Sequence, residues 1–204
     1  MSTNYSLAVT NNSSQLQDIV VFQKAPDRGR HNVLSLAWLT KRAHSGATVT
    51  FNWSEDYNFV WSESGPLRPG VTFKAQQAVP ADPDRPVNNQ IQFGYPSEAY
   101  TFVDGPAVRH PRPGSIYIRT LSDVPNGGAW VGIGMSGAGT FVVPATPNMV
   151  YDFTPHPEYW VAAGTFTAGE VMDIEEITNA HKVTYESTLT HSLVLHADNL
   201  MRAA

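Results

Sequence analysis

The sequence predicts an all-β protein, a single-domain antiparallel β-sandwich of about a dozen short strands. Three observations predict it. Apolar and aromatic residues recur at every second position over one short segment after another, most clearly over 48–64, and a period of two sets them on one face of an extended strand. Clusters of Asn, Ser, Gly and Pro interrupt these segments at short intervals. No segment has the period and length of a long amphipathic helix. With 204 residues and 42% hydrophobic composition, the chain fits one unit, 1–204, around a single dominant core. A chain of this size buries roughly 70% of its unfolded surface and needs no covalent staple.

Tyr5, Leu7 and Val9 alternate with polar neighbours until Asn11-Asn12-Ser13-Ser14 ends the run, which predicts a strand and a turn. Residues 18–24 form a second strand and 26–29 a turn. Over 33–41 a short helix competes with a strand. Residues 48–64 read as a hairpin. If Ser54-Glu55-Asp56 is a three-residue loop, Trp53 pairs with Tyr57, Phe51 with Phe59 and Val49 with Trp61, and all six share one face. A strand over 71–79 leads into a proline-dense loop at 80–86, where ladder donors are missing. Residues 90–95 and 99–104 pair across Pro96-Ser97-Glu98, and a second proline-rich loop spans 105–114. Strands follow at 115–121, 129–135, 140–145, 149–153 and 159–166. Residues 171–177 are ambiguous, and strands at 182–187 and 192–196 complete the set.

Composition excludes several function classes. The chain has no cysteine, so it has no disulfide, thiolate metal site or cysteine nucleophile. Net charge is −5 with 15% charged residues, and no basic stripe marks a nucleic-acid footprint. No uncharged apolar run reaches membrane-spanning length. The opening MSTNYSLAVT reads as strand rather than signal peptide. The expected location is the cytoplasm, with export by a signal-less route left open.

Gly132-Ile133-Gly134-Met135-Ser136-Gly137 matches a dinucleotide fingerprint as a string, but that chemistry needs a helix at its end, and strand-like Thr140 to Val143 follow instead. Gly134-Met135-Ser136-Gly137-Ala138 lacks the last glycine of a nucleophile elbow. Both strings therefore read as a glycine-rich turn or bulge. The histidines show no zinc-ligand spacing: His191 and His196 face opposite sides of a strand. No metal, cofactor or catalytic residue is expected. Arg109, His110 and Arg112 form a small basic cluster that would catch an anion, or else a solvated loop. The segment 154–160 is the best candidate surface. There His156, Glu158, Tyr159 and Trp160 follow stiffening prolines, and flat rings with polar edges suit glycan or protein partners; the bland alternative buries Trp160 as the start of a strand.

Several strings carry a family resemblance: Tyr5-Ser-Leu-Ala-Val-Thr-Asn-Asn-Ser13, Asn32-Val-Leu-Ser-Leu-Ala-Trp38, Phe59-Val-Trp-Ser-Glu-Ser-Gly65 with Pro69-Gly70-Val71, Val131-Gly-Ile-Gly-Met-Ser-Gly-Ala-Gly-Thr-Phe-Val142 and Phe153-Thr-Pro-His-Pro-Glu-Tyr-Trp160. On these islands the chain resembles the RhiA-like proteins, a family named from a rhizosphere-expressed protein of root-nodule bacteria. They span nearly the whole chain but leave out 80–89, 105–114 and the tail 199–204. The resemblance implies a soluble bacterial protein under population-density control and linked to plant association, and it supplies no catalytic residue. The expected function is non-enzymatic binding of a glycan or protein partner during host association. Two alternatives stay open: a hydrolase built on His156, Glu158 and a distant carboxylate, and a structural protein that forms homo-oligomers through its sheet edges.

Overall fold

A computed structural model describes residues 3–24, 32–155, 158–186 and 188–204. The expected turn at 26–29 lies outside the described residues. Seventeen strands are found among the described residues. They are β1 (Asn4–Asn11), β2 (Gln17–Gln23), β3 (Leu34–Ser35), β4 (Leu39–Ala43), β5 (Thr48–Ser54), β6 (Tyr57–Ser62), β7 (Gln77–Pro80), β8 (Gln90–Gly94) and β9 (Thr101–Val103). The series continues with β10 (Ile116–Thr120), β11 (Trp130–Met135), β12 (Ala138–Pro144), β13 (Val150–Phe153), β14 (Tyr159–Gly164), β15 (His181–Val183), β16 (Thr190–Leu195) and β17 (Met201–Ala203). A single 3-10 turn, Pro96–Glu98, joins β8 to β9, and those two strands pair as expected. The all-β expectation holds.

The strands form four sheets, stacked in two pairs. One pair sets the order β17-β16-β1-β5 against β15-β14-β2-β4. Its core takes Leu7, Phe51 and Leu193 from the first sheet and Ile19, Val21 and Val161 from the second. The other pair sets β3-β12-β11-β6-β7 against β13-β10-β8-β9, around Phe59, Val131 and Phe141 on one side and Phe93, Ile116 and Ile118 on the other. Pairing is antiparallel except for β1 with β16 and β8 with β10. The second pair uses only strands between Leu34 and Phe153, so it is nested inside the chain that builds the first. The core is thus divided rather than single. Burying one phenylalanine contributes about 1.5–3 kcal/mol, and Phe22, Phe51, Phe59 and Phe93 are all essentially fully buried.

Two sheets are covered on both faces. Val20, Phe22 and Ala162, on the outer face of β2 and β14, pack under Met172, Ile174 and Ile177. Residues 171–177 therefore form a cover, with no strand of their own. Val60 and Val142 are capped in the same way by Leu67, Phe73 and Val171. Of the strand expected over 71–79, only its end, β7, forms. The competition over 33–41 resolves into β3 and β4, and the tail supplies the additional strand β17.

The hairpin expected over 48–64 does not form. β5 pairs with β1, Leu7 opposite Phe51 and Tyr5 opposite Trp53, whereas β6 pairs with β11 and β7. Phe51 and Phe59 belong to different sheets and different cores. The physical reason lies at the tip. A three-residue hairpin needs a left-handed residue, and none of Ser54, Glu55 and Asp56 has positive φ. The chain therefore crosses from one sheet pair to the other. The tight hairpin occurs instead at Ser136 (φ 51°) and Gly137 (φ 78°), between β11 and β12, where two left-handed residues match a type I′ turn. On β11, a Cβ at Gly132 would collide with the Phe141 carbonyl oxygen. This close backbone approach is what the small residues permit.

Candidate functional site

The sequence-predicted residues occupy three separate places. His156 lies outside the described residues. Tyr159 and Trp160 are consecutive on β14 and so face opposite ways. The Tyr159 ring is buried in the first core, between Trp38 and Trp53. Trp160 is half-buried on the outer face with Lys24 Nζ 3.5 Å from its ring centroid, so the cation covers the ring. Exposed Glu158 accepts a 2.6 Å bond from Lys182 Nζ, which holds its carboxyl below the usual carboxylate range. Among the described residues, Glu158, Tyr159 and Trp160 form no common platform.

The basic cluster is also divided. Arg109 and His110 are exposed, but Arg112 is engaged with Asp152 at 2.9 Å and donates from Nε to the Tyr117 hydroxyl at 3.2 Å. Burial pushes the Tyr117 phenol up, but the donors from Arg112 outweigh it and leave it below its ordinary value. No group of three His, Asp or Glu residues among the described residues is placed to hold a metal.

Concavity is found instead at the two proline-rich loops. A groove of about 630 Å³ has Phe59, Val79 and Ile91 among its lining residues, with Pro80, Pro86 and Pro106 as walls. Val87, also in the lining, is 88% exposed. Gln90 and Gln92 of β8 hold both walls. Gln90 Nε2 donates to the Pro86 carbonyl at 3.2 Å, and its Oε1 accepts from the amides of Ala107 (2.9 Å) and Val108 (3.0 Å). Gln92 Nε2 donates to the Pro106 carbonyl at 2.9 Å. The Gly114 amide reaches the Pro83 carbonyl at 2.8 Å, tying loop to loop. Gln90 thus bridges the two loops, alongside the direct Gly114–Pro83 bond. Sequence reasoning missed this site; its one legible signal was Val87, a lone aliphatic residue beside Pro86 in a polar loop.

Beside the groove, at the crossover between the sheet pairs, lies a second cleft of about 440 Å³ lined by Glu55, Asp56, Tyr57, Pro80, Asp82 and Asp84, among others. Tyr5 donates to Glu55 Oε1 at 2.9 Å, and Tyr159 lies 3.5 Å from the same oxygen. Burial, then Glu55, pushes the Tyr5 phenol up to about 12. Burial raises Tyr57, Tyr159 and Tyr185 as well. Ser136 closes the crossover: its hydroxyl donates to the Ser54 carbonyl at 2.9 Å and accepts from the Ser54 amide at 3.0 Å. Both of these bonds go to the Ser54 backbone, and the Ser54 hydroxyl lies 3.4 Å away, so Ser136 acts as a latch on Ser54.

A family model described as RhiA matches residues 2–203. Protein RhiA of Rhizobium leguminosarum bv. viciae is 38% identical over 205 residues, covering 97% of this chain and 84% of that protein. No solved structure matches the chain.

Proposed function

The chain belongs to the RhiA family, and from that membership we propose that it is a binding protein whose groove between the proline-rich loops takes a short segment of a partner protein. The observation that carries the reading is the groove itself: prolyl walls over buried Phe59 and Ile91, Asn88, Gln90 and Asp104 among the lining, and Val87 88% exposed. A preformed concavity with apolar walls and a few placed polar groups suits a partner segment. Pre-organisation by Gln90 and Gln92 lowers the ordering cost of binding. A protein segment suits this lining better than a glycan, which needs flat exposed rings with polar edges. Trp160, the ring first expected to serve that purpose, is occupied by Lys24. Family membership supports setting this binding within plant association under population-density control.

The test is a display of random short peptides beside a glycan array, with wild type, Val87→Ser and Gln90→Ala. Saturable peptide binding, weakened about tenfold by either substitution with an unchanged strand spectrum, is the expected result. Saturable glycan binding that both variants retain would overturn the proposal.

A further inference from the structure

We infer that the partner segment is cationic as well as apolar: basic side chains seat in the acidic cleft at the crossover while adjoining aliphatic ones enter the groove. The inference rests on the groove reading above and names the class of partner.

The two concavities adjoin, sharing Pro80 as a common wall. Glu55, Asp56, Asp82 and Asp84 line the acidic cleft, and no Lys or Arg does. Among the described residues, only Asp82 of the four carries an ion pair, with Arg85 at 3.2 Å. Glu55 is met by the Tyr5 hydroxyl and Asp56 by the Ser54 hydroxyl, both neutral donors. Asp104 adds another carboxylate to the lining of the apolar groove itself. Tyr57 records the resulting field, since after burial the charges of Glu55 and Asp84 are among the causes that raise it. A surface of one sign beside an apolar groove favours a partner of the opposite sign, in on-rate and in choice of partner. A second copy of this chain, at a net charge of −5, is repelled by a surface of the same sign.

The test uses three synthetic peptides of equal length that share one leucine pattern and carry Lys, Gln or Glu at the remaining positions. Each is titrated by fluorescence polarisation against wild type, Val87→Ser and Asp56→Asn/Asp84→Asn, at low and high salt. The lysine peptide is expected to bind about tenfold more tightly than the glutamine peptide, and to lose that advantage in high salt. It is also expected to lose it in the Asp56→Asn/Asp84→Asn variant, while Val87→Ser weakens both. Equal binding of the three peptides, all sensitive to Val87→Ser, would overturn the cationic partner and leave the groove standing. No binding by any of them, or binding indifferent to Val87→Ser, would remove both.

Discussion

Raising the pH above 10 is expected to unfold this protein through the tyrosines around the crossover. Tyr5, Tyr57, Tyr159 and Tyr185 are all raised from an ordinary value of 10, Tyr5 to about 12. Below pH 10 both folded and unfolded chains hold these phenols neutral, and stability is indifferent to them. Above it the unfolded chain ionises first, and stability falls as pH rises toward the folded values. Each such group contributes a slope of about 1.4 kcal/mol per pH unit, so four together give at most about 5 kcal/mol per unit. Water that still reaches half-buried Tyr5, Tyr57 and Tyr185 lowers their share. A domain stable by about 5–15 kcal/mol is then lost within roughly one to three units above pH 10. The assay follows tyrosinate absorbance and near-ultraviolet circular dichroism along one alkaline titration. The two signals should move together in a late cooperative step, preceded by titration of Tyr117, which Arg112 holds below its ordinary value. Tyr185→Phe loses the 3.2 Å bond to the Ser6 carbonyl but should flatten the slope by about a quarter. If all eight tyrosines titrate near 10 while the dichroism persists, the reasoning fails.

Further outcomes can be checked by chemical denaturation or NMR. Phe51→Leu and Phe59→Leu should each cost about 1–2 kcal/mol and add within about 0.5 kcal/mol in the double variant, since they serve separate cores; strong coupling in urea titrations would restore the paired hairpin. Gly132→Ala should cost about 1–3 kcal/mol because its methyl meets the Phe141 carbonyl, whereas Gly137→Asn, in open space at φ 78°, should be tolerated. Lys182→Met should raise the Glu158 carboxyl toward its ordinary range, read by NMR titration. The Glu158 contribution to stability is present above the unfolded value and is lost as pH falls through the lowered one.

The fold class was legible because period-two patterning is local. Leu7 and Val9, or Ile116 and Ile118, turn inward as their spacing demands. Strand partnership was not legible. β5 and β6 are separated by two residues and look like a hairpin, yet each finds a distant partner, because nothing in 54–56 takes the left-handed turn that would fold them together. The glycine-rich stretch 132–138 matches cofactor and nucleophile strings but reads as a turn or bulge, and it forms a tight hairpin with a latch on Ser54. For the site, Tyr159 and Trp160 looked like a surface because adjacency in sequence was read as adjacency in space; a strand separates such neighbours by design of its pleat. The groove escaped because Gln90 joins two loops far apart along the chain, and hydrogen bonds of that kind leave no periodic mark.

The nesting of one sheet pair within the other has a consequence during synthesis. Every strand of the inner pair has been made once Phe153 is added, so these strands can pair once that stretch clears the exit tunnel, while translation continues, and the cap at Val171 follows. The outer pair must wait. Until Thr190–Leu195 arrives to lie beside Asn4–Asn11, the nascent chain holds an unzipped edge beside Leu7 and Val9. That interval is when the growing polypeptide is most open to chaperones, and when a stalled or shortened message does the most harm.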